Sequence, residues 1–142
     1  MKRKYCNGFS LIELMTVVLI VGILAAIATS VYTQSVLKAK RAEARAALTE
    51  ILQQQERYMT QRNTYLAFGV GATGVPFKTF SGTSADVGSY QIGAEACASA
   101  TISECVRIYA VPKHQDPGVG TIALTSAGSR DCTGTVQKEC WR

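Results

Sequence analysis

Four cysteines in the second half of the chain are the residues best able to form covalent bonds. Cys97 and Cys105 are separated by the same interval as Cys132 and Cys140. None belongs to a Cys-x-x-Cys pair, which zinc sites commonly use, and the chain has one histidine, so zinc binding is a weak alternative. We predict two disulfides and an oxidising compartment. Of the three possible pairings we favour the local ones, Cys97 with Cys105 and Cys132 with Cys140.

Little in the sequence suits enzymatic hydrolysis. His114 is the only histidine, and Ser129 and Asp131 would have to complete a triad with it. No G-x-S-x-G or H-E-x-x-H motif supports such an arrangement. We therefore predict that the protein is not an enzyme and that it uses no metal or cofactor.

Basic residues give the chain a formal net charge of +5. Lys2, Arg3 and Lys4 precede a long apolar segment, where they favour a cytoplasmic N-terminus. The rest of the chain is only mildly basic, so DNA binding would have to be local. Candidates near the C-terminus are Lys113, His114, Arg130, Lys138 and Arg142, and a second cluster is Lys38, Lys40, Arg41 and Arg45. Solvated surface charge is the simpler interpretation of both groups, with DNA or lipid binding as the alternative.

The apolar segment from Phe9 to Val31 contains a single charged residue, Glu13. About 20 apolar residues suffice to cross a bilayer as a helix. A buried acid costs on the order of 2.5–3.5 kcal/mol at mid-bilayer, so Glu13 needs a partner or a place near the boundary. Three interpretations compete: a secretory signal peptide cut near Ala26-Ile27-Ala28, a plain anchor, or a segment cut before the apolar run.

The apolar segment is predicted to continue into one long helix. From Ser10 to Arg62 the only helix breaker is Gly22, and strong helix formers predominate in the second half. Residues 33–63 are amphipathic. Their apolar stripe comprises Val36, Leu37, Leu48, Ile51, Leu52, Tyr58 and Met59, and Arg41 lies on the opposite, charged face. We therefore predict a helix that runs through the membrane and into a folded head.

The remaining sequence predicts a loop followed by a small antiparallel sheet. Residues 64–86 are interpreted as a flexible surface loop, although residues 69–74 formally match G-x-G-x-x-G, because no strand–turn–helix context surrounds them. Residues 87–126 form a predicted β-meander with strands at Gly88–Gly93, Val106–Pro112 and Gly120–Thr125 and a turn at residues 116–118. Residues 127–142 complete the chain as a disulfide-bounded loop. The fold class is α+β.

The residues Asn7-Gly8-Phe9-Ser10-Leu11-Ile12-Glu13 resemble the class III signal of type IV pilins and type II secretion pseudopilins. Residues 56–65 and the ending Glu139-Cys140-Trp141 are similar to minor pilins of the PilE/ComP-like group. Two departures are Asn7, where the family usually has a basic residue, and the lack of a proline near the end of the apolar run. The cysteines and the missing proline favour a minor pilin over a major pilin. A type II secretion pseudopilin remains the alternative, although the cysteines favour a pilus.

The resemblance implies a type IV pilin fold with a division into leader 1–8, transmembrane and assembly helix 9–32, and head 33–142. A prepilin peptidase would cut between Gly8 and Phe9, with methylation of the new Phe9 amine. Glu13 would then pair with the N-terminal amine of a neighbouring subunit and set the register, a known use of buried polar groups.

The same resemblance implies where the protein is found and what it contacts. The subunit would cross the inner membrane once, with a cytoplasmic N-terminus, before joining an extracellular fibre. Its partners would be the peptidase, other pilin subunits through the helix, and DNA if it acts as ComP-like pilins do. The expected function is that of a structural subunit supporting pilus assembly and pilus-dependent processes, with DNA uptake as the alternative.

Overall fold

The computed structural model describes residues 9–142, with residues 28–30 described by their backbone alone. The predicted leader, residues 1–8, lies outside the described residues. It includes Cys6 and Gly8, the residue before the predicted cleavage site. The chain divides into two compact units, one reaching Val36 and the other running from Leu37 to Arg142, and each is described by itself.

Helix α1 spans Leu11–Arg62, which confirms the predicted long helix. In its N-terminal part, the large apolar side chains from Leu11 to Ile27 are more than half exposed within the isolated chain. By length and composition this helix could cross a membrane, with a mean hydropathy of 2.7 in its most apolar window. Such a surface is stable where lipid or other apolar helices cover it.

The second unit has a core between the amphipathic part of α1 and a four-stranded antiparallel sheet. Strands β1 (Tyr90–Ala96), β2 (Val106–Pro112), β3 (Ile122–Thr125) and β4 (Arg130–Cys132) lie side by side in chain order. Helix α1 buries Leu48 and Ile51 of the predicted stripe in this core, together with Ala44, which the prediction did not include. On the sheet, alternate residues point inward, so the opposed residues Ile92, Ala110 and Ile122 are all buried.

The C-terminal region differs from its prediction as a loop because it contains β4. Arg130 pairs with Leu124 and Cys132 pairs with Ile122. The three residues of β4 lack the branched and aromatic side chains that mark a strand, so its pairing depends on contacts that are distant in sequence. A short 3₁₀ helix at Gln137–Glu139 follows.

The segment 64–86 is not a loosely attached surface loop, which corrects that prediction. Phe68 and Phe77 are buried, with ring centroids 5.8 Å apart. Phe68 exchanges two backbone hydrogen bonds of 2.8 Å with Ala94 of β1, and Phe80 bridges to Gln91. The aromatic residues of this segment therefore extend the core, although most of the glycines between them are exposed.

Candidate nucleic-acid interface

The C-terminal segment, residues 127–142, is held in place by one disulfide and by backbone hydrogen bonds. The structure pairs Cys97 with Cys105 and Cys132 with Cys140. The backbone amide of Gly134 donates to the carbonyl of Val119 at 2.9 Å, and two further amides donate to Pro117 and Gly118. Because Cys140 is bonded to Cys132 of β4 and residues 134–136 are bonded to the turn before β3, the last residues of the chain have a defined position.

Arg130 and Trp141 form a basic and aromatic pair on this segment. The Arg130 guanidinium carbon lies 5.2 Å from the ring centroid of Trp141. The indole Nε1 donates to the carbonyl oxygen of Asp131 at 3.3 Å, which fixes the ring. Arg130 is exposed. A cation beside an oriented aromatic face can contact a phosphate and stack on a base, so the pair suits nucleic acid.

A buried ion pair connects α1 to the turn before β3, a role the sequence did not reveal. The Arg41 Nε and Nη2 atoms donate to the Asp116 carboxylate at 2.8 and 2.7 Å, and Nη1 donates to Glu139 at 2.6 Å. The side chains of Arg41 and Asp116 are 8% and 2% exposed. The predicted solvated position of Arg41 was therefore wrong, because two carboxylates from distant segments compensate its charge.

These hydrogen bonds shift the pKa of each group in the direction that favours its charged form. The bond to Asp116 raises the pKa of Arg41 above its usual value. The same contact with Arg41 lowers the pKa of Asp116. Both groups are therefore held in their charged forms, and the ion pair persists at neutral pH.

A cleft beside this ion pair brings the helix cluster and the C-terminus together. Its volume is about 290 Å³, and it is lined by Lys38, Arg41, Arg45, Glu139 and Arg142. Arg45 Nη1 donates to the carbonyl of Cys140 at 3.1 Å. The sequence alone places Lys38 and Arg45 in one basic cluster and Arg142 in another. The seven-residue spacing of Lys38 and Arg45 predicts that they share one face of α1. Nothing in the sequence indicates which segment lies opposite that face.

The structure places Lys113 and His114 directly after β2 and beside the start of β1. The Lys113 Nζ donates to the carbonyl of Ala85, on the β1 side of the sheet. His114 lies partly buried and edge-on to Tyr90, with ring centroids 5.4 Å apart. Burial raises the pKa of Tyr90 to about 12, so its hydroxyl stays protonated. Of the other predicted contacts, Arg130 lies against Trp141, whereas Arg142 lines the cleft beside α1. Lys138 is exposed in the 3₁₀ helix.

The predicted assembly residues lie at the start of the other unit. Phe9 is exposed, and Glu13 is in the first turn of α1. The backbone amide of Ser10 donates to a carboxylate oxygen of Glu13 at 3.1 Å. A carboxylate at this position satisfies a free amide of the helix N-terminus.

Comparisons with known proteins match both parts of the chain. Residues 30–134 match the family described as "Type IV minor pilin ComP, DNA uptake sequence receptor". Residues 3–29 match the family described as "Prokaryotic N-terminal methylation motif".

Two individual proteins are also similar to the chain. The type IV major pilin protein PilA of Myxococcus xanthus is 39% identical over 62 residues, which are 44% of this chain and 28% of that protein. The match thus spans little more than a quarter of that relative. The structure of a type IV pilin from Shewanella oneidensis covers 68% of this chain and 97% of its own, with 19% identity and a TM-score of 0.43.

Proposed function

We propose that this chain, which belongs to the type IV minor pilin family described as the DNA uptake sequence receptor ComP, binds duplex DNA through its C-terminal segment. The observation that carries the proposal is the contact between Arg130 and Trp141 on a segment closed by the Cys132–Cys140 disulfide. Arg142 adds a further cation next to Trp141 in the chain. The family consists of structural subunits rather than enzymes, so binding rather than catalysis is the property to test.

The charge distribution supports a local interface over a general attraction. Arg107, the other arginine of the sheet, is engaged by Glu95 at 2.8 Å and lies 3.8 Å from Asp131. Arg130 forms no ion pair with the described residues and is exposed to a ligand. Cations free of carboxylate partners can replace the counterions of DNA and so drive binding.

Replacing Arg130 with glutamine is expected to weaken DNA binding by removing one phosphate contact. The slope of log K against log salt should fall by about one, and the affinity should drop for all duplex sequences alike. The measurement is a fluorescence anisotropy titration of the full processed chain in detergent micelles with labelled duplex DNA across a salt series.

The matched control is Arg57→Gln, because Arg57 is exposed on α1 and far in sequence from the C-terminal segment. It should leave the slope unchanged. Equal slopes for the wild type and Arg130→Gln would contradict the proposed contact. A wild-type chain that shows no salt-dependent binding would contradict the proposed function itself.

We further propose that cleavage occurs between Gly8 and Phe9 and that Phe9 is methylated. The match to the methylation motif family supports this. The processed subunit would reside in the inner membrane with its N-terminus on the cytoplasmic side, and then join the pilus through α1. The Phe9 amine would pair with Glu13 of a neighbouring copy, because a carboxylate among apolar helices needs a cation.

Intact-mass analysis of the membrane form tests the processing step. We expect the loss of residues 1–8 and the gain of one methyl group. A new N-terminus at Thr29 would instead identify the apolar segment as a secretory signal peptide.

A further inference from the structure

The cleft beside α1 contains more positive than negative charge. Lys38, Arg41 and Arg45 come from one face of the helix, since they are three and four residues apart. Arg142 adds a fourth cationic side chain, whereas Glu139 is the one acidic side chain among the described residues that line the cleft.

Arg41 is fully engaged. Three of its nitrogen atoms donate to the carboxylates of Asp116 and Glu139 at 2.6–2.8 Å. The Glu139 carboxylate is correspondingly committed to Arg41. Neither charge is therefore free for a ligand, and neither neutralises the rest of the cleft.

Arg45 is half-buried without a carboxylate partner among residues 9–142. The Arg45 Nη1 atom donates a hydrogen bond to the neutral carbonyl of Cys140. Arg45 takes part in none of the ion pairs among the described residues. Burial lowers the pKa of Arg45, and the charge of Arg41 lowers it further. An anion in the cleft would relieve both effects.

We propose that this cleft binds a phosphate-class oxyanion, held by the Arg45 guanidinium and flanked by Lys38 and Arg142. A guanidinium has five N–H donors in a planar fork, so Arg45 can bind two oxygens while it keeps its bond to Cys140. With a volume of about 290 Å³, the cleft has room for a phosphate group and part of what it is attached to. The inference rests on the proposed function only in naming the source, which is a phosphodiester of bound DNA.

The first test compares the salt dependence of DNA binding by the full processed chain in detergent micelles. Arg45→Gln and Lys38→Gln should each lower the slope of log K against log salt by about one. Each should also weaken binding roughly tenfold near 0.1 M salt, as expected for one lost phosphate contact. Arg57→Gln and Lys40→Gln are the matched controls, because both residues are on α1 and neither lines the cleft. Lys38 is exposed, so its replacement keeps the test valid if Arg45→Gln disturbs folding.

The second test uses inorganic pyrophosphate and needs no DNA. We expect a saturable shift of the Arg45 side-chain Nε–Hε NMR signal and no shift of the Arg57 signal. If DNA binds and the two cleft variants keep the wild-type slope, the cleft proposal is overturned and the proposed function survives. If DNA does not bind but pyrophosphate shifts Arg45, the cleft is a free-anion site and the proposed function fails. An Arg45 signal that pyrophosphate leaves unchanged overturns the cleft proposal.

Discussion

Replacing Arg41 with methionine is expected to lower the free energy of unfolding by about 3–5 kcal/mol. The change leaves Asp116, whose side chain is 2% exposed, without a cation, and an unpaired buried charge costs about this much. It also removes the ion pair between Arg41 and Glu139, which is one of the contacts that hold the C-terminal segment to α1. Urea denaturation of the processed chain in detergent, followed by tyrosine and tryptophan fluorescence, measures the loss.

Two comparisons show whether the lost ion pair is the cause. Arg57→Met removes an exposed arginine from the same helix and should change stability by no more than about 0.5 kcal/mol. The folded pKa of Asp116 is lowered, so its contribution is present above the unfolded value near 3.9 and is lost as pH falls through the folded value. The difference between the wild type and Arg41→Met should therefore narrow as the pH falls toward the lowered folded pKa of Asp116. A difference that does not depend on pH would contradict this explanation.

Replacing Gly134 with alanine is expected to destabilise the C-terminal segment by about 1–3 kcal/mol, the usual cost of an overpacked site. A Cβ at Gly134 would overlap the carbonyl oxygen of Gly118 and the amide nitrogen of Val119. These are backbone atoms, so no side-chain rotation can relieve the clash. The bond from the Gly134 amide to the Val119 carbonyl would also be strained. The thermal unfolding temperature should fall because of the clash. The DNA affinity should fall as well, because the segment carries Arg130 and Trp141.

Gly69→Ala is the matched control for this change. A Cβ at Gly69 meets no atom within 4 Å, and its backbone is not in the left-handed region. Its effect should stay within about 0.5 kcal/mol. Comparable losses for the two variants would show that the close backbone approach at Gly134 is not the source of the destabilisation.

The elements with a strong local pattern could be predicted from the sequence. Helix α1 is predicted over residues 9–63 and is found at Leu11–Arg62, because Gly22 is the only helix breaker in that range. Strand β2 has the predicted bounds, Val106–Pro112, since its alternation and branched residues mark it clearly. Strand β1 was expected at Gly88–Gly93 and lies at Tyr90–Ala96, because its pairing with β2 runs on to Val106.

Features that depend on partners distant in sequence could not be predicted. Arg41 has a charged side chain on a predicted polar face, and only the positions of Asp116 and Glu139 make its burial favourable. The Arg-Asp-Cys sequence of β4 has no strand pattern of its own. Phe68 and Phe77 lie among glycines, which suggested a surface loop, yet their apolar area is best covered in the core.

The two edge strands of the sheet, β1 and β4, are protected against pairing with strands of neighbouring subunits. The free side of β1 is partly occupied by the backbone bridges of Phe68 and Phe80. The free side of β4 is only three residues long and exposes Arg130 and Asp131. Short, charged or covered edges are poor templates for a foreign strand. In the fibre that we propose, heads held at high local concentration would therefore resist amyloid-like strand addition, which leaves the apolar helices as the means of assembly.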